Sequence, residues 1–310
     1  MQDGLGQSQP SPGLSVDVCI CTYRRASLTD TLQSLVDQGR QAGVSMRVVV
    51  ADNDESACGK PGIEQAAMAL GLPLQYLHAP ARSISIARNA CLDCAQGDWI
   101  AFIDDDEIAR PGWLTAMLEV AQSSEFDAVL GPVSALYAPD APSWMREGDF
   151  HSTRPVLRRG QIETGYSGNV LIRRAFLART GLRFDLQFGR TGGEDVDFFY
   201  RFRDLGGRIG FAPHAFVDEP VPAARAKIGW LLRRSFRAGQ THGTRLCRRA
   251  GTPAERLRDM AAAMLKAAAC AVGAGVMLWR PSSRYRYVTR GVLHLGVAAR
   301  VIGLREIQSY

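Results

Sequence analysis

The sequence predicts an α/β fold: a mostly parallel sheet flanked by helices, with a helical region at its C-terminal end. Three observations carry this. Apolar runs of strand length alternate with helix-period segments over the first half of the chain. Those runs are continuously apolar and joined by tight links, as in a parallel sheet covered on both faces. Beyond residue 220 the strand signal gives way to Arg-dense and then Ala-rich stretches. The expected organisation is a tail over residues 1–14, an α/β domain over 15–220 and a basic, apolar helical region over 221–310.

Residues 1–14 are polar and rich in Gly, Ser, Pro and Gln, and read as disordered. Val16 to Cys21 is the first strand, followed by the turn Thr22-Tyr23-Arg24-Arg25. Ser27 is the expected N-cap of a helix whose Leu28, Leu32, Leu35 and Val36 share one face. Arg47 to Ala51 is a second strand, ending in Asp52-Asn53-Asp54. A helix over Ile63 to Leu70 closes at Gly71, and Leu74 to Leu77 is a short strand. Ser85 to Ala95 is a helix carrying Arg88-Asn89. Trp99 to Ile103 is the strand that ends in Asp104-Asp105-Asp106-Glu107, and Pro111-Gly112-Trp113 opens the next helix.

The second half is less regular. Ala128 to Val133 reads as a strand and residues 138–165 as a long irregular excursion, a type of segment that often carries function. Tyr166 to Ile172 is a strand, and Arg173 to Thr180 a helix stopped by Gly181. Gly192-Gly193-Glu194-Asp195 begins a helix with Phe198, Phe199 and Phe202 turned inward, and Arg208 to Phe211 is the last expected strand. Arginines crowd Arg225 to Arg258, interrupted by Trp230, Leu231, Leu232 and Phe236. Met260 to Trp279 is long enough to span a bilayer, but Lys266 at its centre would cost about 2.5–3.5 kcal/mol there. An interfacial or core-packed helix pair with Gly291 to Leu304 is the favoured reading, and His294 is a packed helix residue.

Composition narrows the function. With 46% apolar and 22% charged residues the 310-residue chain is an ordinary globular protein with ample core. Its net charge of +6 points to an anionic partner. Seven scattered cysteines and a polar start without a secretory pattern predict a reducing, cytoplasmic setting. Cys91-x-x-Cys94 stands inside a helix with no second pair nearby, so it reads as core packing rather than a zinc or redox site.

The acids after Ile103 are the chemical centre. Two like charges about 4 Å apart repel by about 4 kcal/mol at a partly screened dielectric, and a divalent cation removes that cost. One or two carboxylates completed by substrate phosphates is how Mg²⁺ or Mn²⁺ is held. A bare D-x-D also describes a solvated acidic loop; its neighbours decide. Thr22 to Arg25, Asp52 to Asp54 and Asp104 to Glu107 all fall at carboxyl ends of strands, where ligands of open α/β sheets gather. Arg24, Arg25, Arg82 and Arg88 are cations available for a diphosphate. Neither G-x-x-x-x-G-K-[ST] nor G-x-G-x-x-G follows the first strand, so metal and Arg would hold the pyrophosphate in place of a glycine cradle. Glu194-Asp195 suits a helix dipole, or a general base for an attacking hydroxyl.

Together these motifs resemble those of the family 2 inverting glycosyltransferases of the glycosyltransferase A fold, which has a Rossmann-like nucleotide-binding half, and within it the bacterial succinoglycan-type glucosyltransferases. The resemblance rests on Cys19 to Arg25, Val48 to Asn53, Ala87-Arg88-Asn89, Phe102 to Asp106 and Gly193 to Asp197 with Arg201, over residues 16–220. It implies that Thr22, Arg24 and Asp52 meet the uridine end of a UDP-sugar, with Arg88 near the nucleotide. It implies that Asp104, with Asp105 beside it, faces ribose or metal, that Asp106 ligates Mn²⁺ or Mg²⁺, and that Asp195 is the base with Glu194 in the acceptor pocket. Relatives carry a His about twenty residues after the acid pair. Here that stretch holds Val217-Asp218-Glu219-Pro220, which leaves His214, Glu219 and His242 all open as a third ligand. The acceptor would be a saccharide, free or on a polyprenyl diphosphate, met at the inner face of the cytoplasmic membrane by the Arg-rich helices. A sugar-phosphate nucleotidyltransferase would want a Gly-rich loop after the first strand. A nucleic-acid-binding protein would leave the acids without purpose, so no nucleic-acid partner is expected.

Overall fold

A computed structural model describes residues 13–305 and 307. The expected tail therefore lies, except for Gly13 and Leu14, outside the described residues. In chain order the structure runs β1 (Ser15–Thr22), α1 (Leu28–Leu35), α2 (Gln38–Ala42), β2 (Ser45–Asp52), α3 (Lys60–Ala69), β3 (Leu74–His78), α4 (Ile84–Cys94) and β4 (Trp99–Ile103). Then come β5 (Ile108–Ala109), α5 (Trp113–Ser123), β6 (Ala128–Leu130), β7 (Val133–Tyr137), α6 (Ser143–Gly148), β8 (Leu157–Arg158) and β9 (Gln161–Ile162). The rest is β10 (Asn169–Arg173), α7 (Arg174–Thr180), α8 (Glu194–Asp204), β11 (Ile209–Phe211), β12 (Val217–Val221), α9 (Ile228–Arg249), α10 (Pro253–Val276) and α11 (Pro281–Val301).

The main sheet has seven strands in the spatial order β11-β6-β10-β4-β1-β2-β3. Only β10 runs against the rest, pairing antiparallel with both β4 and β6. Successive side chains of β1 alternate between faces. Val16, Val18 and Ile20 pack with Leu28, Leu32 and Leu35 of α1 and Trp113 and Met117 of α5. Cys19 lies on the opposite face, with Ala87 and Cys91 of α4 and the rings of Phe176, Phe184, Phe198, Phe199 and Phe202. Both faces are dry, which is why these strands read as continuous apolar runs.

Three expectations change. The run expected over Ala128 to Val133 breaks at Gly131-Pro132. Pro132 offers no ladder donor, Gly131 is pressed against the Ala215 carbonyl and the Asn169 side chain, and the chain leaves for a second sheet, β5-β12-β7. The expected last strand is followed by β12, hidden in the sequence by its acidic and proline content; Pro220 sits opposite Leu136 of the parallel neighbour β7. The excursion over 138–165 is partly ordered, holding α6 and the β8–β9 pair. Cys91 does pack in the core, its thiol against those of Cys19 and Cys21; burial pushes the Cys19 thiol up, and the bond with Cys91, then burial, pushes the Cys21 thiol up, keeping both protonated.

The C-terminal helices pack in series. α9 crosses α11 at Gly239 and Gly296, where a Cβ on either would strike the other helix's backbone, at Leu293 or Phe236. α10 lies on α11 and buries only Ala263 and Ala267. Its Leu257, Leu265, Val272 and Val276 are exposed. Among the described residues it is the one helix long and apolar enough to cross a membrane, and almost none of that stretch is buried.

Candidate active site

β1 and β2 pair in parallel with Thr22 level with Asp52, so both strands deliver their last side chains to one edge. A cavity of about 300 Å³ opens there, bounded by Thr22, Arg24, Asp52, Asp54, Gly59 and Ile63. Asp52 is 3% exposed. Its Oδ2 accepts from the Tyr76 hydroxyl at 2.8 Å and its Oδ1 from the Asp54 amide at 3.0 Å. Arg24 forks onto Asp54, Nε to Oδ2 at 2.7 Å and Nη2 to Oδ1 at 2.9 Å, which holds that carboxyl down to about 2.

The acidic loop leaves β4 beside this cavity, and its four acids have four different surroundings. The Asp104 side chain is about half exposed, 3.5 Å from Arg88 Nη2. Burial of the loop raises it, Arg88 opposes, and the charges of Asp106 and Asp195 push it further up. Asp105 turns away: its Oδ2 accepts from Thr22 Oγ1 at 2.8 Å, and burial pushes it up to about 7 against that bond. Asp106 Oδ2 lies 3.5 Å from both Arg25 Nη1 and Arg225 Nη2. Glu107 is buried, accepts from the Asp104 amide at 2.9 Å, and is raised by burial and then by Asp104. β10 closes on the loop at Gly168, where a Cβ would stand 2.6 Å from Glu107 Oε1 and 3.1 Å from Asp104 Oδ2. Ser27 caps no amide; its hydroxyl donates to the Asp105 carbonyl at 2.9 Å and ties the start of α1 to the loop.

Opposite stands the first turn of α8, reached through Gly193 at φ 86°. Glu194 is buried and ion-paired with Arg88, and its Oε2 has no hydrogen-bond partner. Burial pushes it up to about 7, Arg88 opposes, and Asp195 adds to the rise. Asp195 is half-buried, with Oδ1 accepting from the Val196 amide at 2.7 Å. Its charge acts on Arg88, Asp104, Glu194 and Arg234 alike. The structure thus places Thr22, Arg24 and Asp52 around one cavity, brings Arg88, Asp104, Asp106, Glu194 and Asp195 within electrostatic reach of one another, and links the two groups through Asp105, a brace for Thr22.

No group of three or more His, Cys, Asp or Glu side chains is poised as a complete metal cage among the described residues. The donor set fits instead a hard dication held by few carboxylates and completed by water and phosphate oxygens. Two of the acids, Asp104 and Asp106, act on each other as like charges, the electrostatic cost such an ion relieves. Of the three open third ligands, Glu219 lies beside Asp106, the two sharing Arg225, which reaches Glu219 at 2.9 Å. His214 is exposed on the link from β11 to β12. Burial lowers the pKa of His242, and the charges of Arg158, Arg245, Lys266 and His294 lower it further.

Several contributors escaped sequence reading. Asp54 stood in a quoted motif, but nothing paired it with Arg24. Tyr76 lies two residues before the end of β3, level with Val50, and only the register of β2 with β3 brings it to Asp52. Arg225 follows the unrecognised β12. His151, inside the excursion, accepts from the Tyr137 hydroxyl at Nδ1 (3.0 Å) and donates from Nε2 to the Arg225 carbonyl at 3.2 Å. That assignment follows because a carbonyl can only accept. Burial holds this histidine down to about 4, so it stays neutral while stacking on Trp230.

Comparison with known proteins places this geometry. Residues 17–181 match the family model described as Glycosyl transferase family 2. The succinoglycan biosynthesis protein ExoM of Rhizobium meliloti (strain 1021) is 44% identical over 301 residues, covering 97% of each chain. The glucosyl-dolichyl phosphate glucuronosyltransferase of Haloferax volcanii is 24% identical over 242 residues, 73% of this chain and 75% of its own. Among solved structures, a mannosyltransferase from Pyrobaculum calidifontis in complex with GDP-Man and Mn²⁺ superposes with TM-score 0.61 at 21% identity, covering 93% of this chain and 87% of that one. The 1–349 fragment of S. aureus TarS in complex with UDP gives TM-score 0.53 at 17% identity, covering 92% and 91%. The sheet is that of the glycosyltransferase A fold, and the chain belongs to glycosyltransferase family 2.

Proposed function

We propose that this glycosyltransferase moves a sugar from a UDP-sugar, with inversion and with help from Mn²⁺ or Mg²⁺, onto a hydroxyl of a lipid-linked saccharide in surface polysaccharide synthesis. The observation that carries the reading is the convergence of Arg88, Asp104, Asp106, Glu194 and Asp195, whose charges act on one another, next to the strand-end cavity that Asp52 and Thr22 line. Asp52, Thr22 and Arg24 take the uridine end; Asp52 is fixed by Tyr76 and keeps acceptor capacity for a base N–H. Asp106, with Asp104, would hold the dication, which would supply Lewis-acid neutralisation of the leaving diphosphate. Arg88 stands between the two half-sites. Asp195 accepts the proton of the attacking hydroxyl, and one base with direct displacement gives inversion without a covalent intermediate. Glu194 borders the acceptor.

Residues 15–220 form the catalytic domain in this reading, and 221–310 rest on the inner face of the cytoplasmic membrane. The polysaccharide context follows from the relative at 44% identity, named for succinoglycan biosynthesis. The exposed apolar face of α10 supports an interfacial position. The test is a thermal-shift panel of nucleotide sugars with and without Mn²⁺. UDP-sugars should raise the melting temperature only with the metal, and a panel without any metal-dependent shift overturns the reading.

A further inference from the structure

α8 turns one face to the acids and another to α9, and between α8 and the end of α9 lies a second cavity of about 220 Å³. Thr241, Arg245, Arg248 and Arg249 line it from one stripe of α9 at helical spacing; Tyr200 and Arg201 line it from α8. Its cations outnumber its anions. Arg201 and Arg248 share Asp197 at 2.7 and 2.9 Å, and Arg249 reaches Asp204 at 3.9 Å. Arg248 also approaches Asp185, outside the lining, at 3.4 Å. No carboxylate of the described residues pairs with Arg245, whose guanidinium carbon lies over the Tyr200 ring, 3.1 Å from its centroid. Burial and the charge of Arg249 work against its ionisation. A half-buried guanidinium stacked on an aromatic face keeps its N–H fork in one plane, the geometry that suits phosphate oxygens.

The place of this recess matters as much as its charge. Arg249 ends α9, and α10 starts at Pro253, so the recess sits at the root of the exposed apolar face that begins with Leu257. An anion site joined to an apolar track fits an amphiphile with a phosphorylated head. We propose that Arg245, with Arg248 and Arg249, binds the diphosphate head of the lipid that carries the acceptor, while the hydrocarbon lies along α10. The proposal rests on the reading above that the acceptor is lipid-borne, and it adds a binding site outside the residues matched by the family model.

The test titrates the full chain calorimetrically, in EDTA, with farnesyl diphosphate, farnesol and inorganic pyrophosphate. Farnesyl diphosphate should bind about tenfold or more tighter than farnesol, as charge-assisted hydrogen bonds to the head require. It should also bind tighter than pyrophosphate, which shares the head chemistry without the chain. Arg245→Gln should remove most of the advantage over farnesol. Arg245→Lys, which keeps the charge and loses the fork, should retain part of it and covers the case in which the first variant does not fold. Equal affinity for farnesol and farnesyl diphosphate, or affinity unchanged in both variants, overturns the site. Pyrophosphate binding as tightly as farnesyl diphosphate overturns the lipid-borne source. A separate UDP-sugar titration in Mn²⁺ tests the donor reading, so a failure there leaves this result standing on its own.

Discussion

The strand ends around Asp52 and Asp104 and the helices α9 to α11 carry opposite excesses. At the strand ends and the facing start of α8, acids are held inside: Asp52, Asp54, Asp105, Glu107 and Glu194 are all buried. Each has a named partner, whether Tyr76, Arg24, Thr22, a backbone amide or Arg88. At the helices, apolar surface is left outside, with Leu265 73% and Trp279 76% exposed. The first region is costly within the protein, a cost that the proposed dication and donor would relieve. The second is costly in water, a cost that the proposed membrane surface would relieve. One chain thus shows two kinds of incompleteness, each naming the chemistry of its complement.

The largest effects are expected at the acids. Asp106→Ala should abolish Mn²⁺-dependent UDP-sugar binding and cut turnover about 10³-fold. Asp195→Asn should leave donor binding intact and lower kcat about 10²–10⁴-fold, read by UDP release; full turnover in that variant would refute the base assignment.

Next in size is a stability effect. Asp105 stands near 7 in the fold against an ordinary value of 3.8, and burial raises Glu194 as well, against Arg88. Raised values mean that the folded chain binds more protons than the unfolded one between about pH 4 and 7, so in EDTA this contribution to stability is lost as pH rises through that window. Asp105→Asn removes one of the charges and should stabilise the metal-free protein at pH 7.5 by about 2–4 kcal/mol in denaturant titration. Unchanged or lower stability counts against a desolvated Asp105.

On the helical side, Leu265→Ser with Val272→Ser should weaken sedimentation with anionic vesicles by about tenfold or more, at about 25 cal/mol per Å² of apolar surface lost. Equal sedimentation of variant and parent sinks the bilayer as the cover of α10. The smallest effect is expected from Arg24→Ala, about tenfold in donor affinity, because Arg24 is half exposed and its loss is partly screened.

The first region was more legible in the sequence than the second. Runs such as Val48 to Ala51 and Trp99 to Ile103 are apolar on both faces and can hardly be anything but central strands, so their carboxyl ends, and the acids there, could be placed. Pairings across the sheet could not. Tyr76 meets Asp52, and Thr22 meets Asp105 across 83 residues, through strand register alone. β12 was missed because Asp218, Glu219 and Pro220 violate the apolar pattern; Asp218 is satisfied by Arg110, at 2.7 and 2.9 Å. α10 showed its length and apolarity in the sequence, but which of its sides stays open depends on the packing against α11.

Arg88 has one more consequence. A single guanidinium meets Asp104, assigned above by proposal to the donor, and Glu194, assigned by proposal to the acceptor. Whatever neutralises one of those carboxylates alters the hold of Arg88 on the other, so the occupancies of the two half-sites are thermodynamically linked, and reciprocally so. A donor that draws Arg88 toward its phosphates, as proposed, would loosen Glu194, and order of addition would then be a property of one side chain, without any loop having to carry the message.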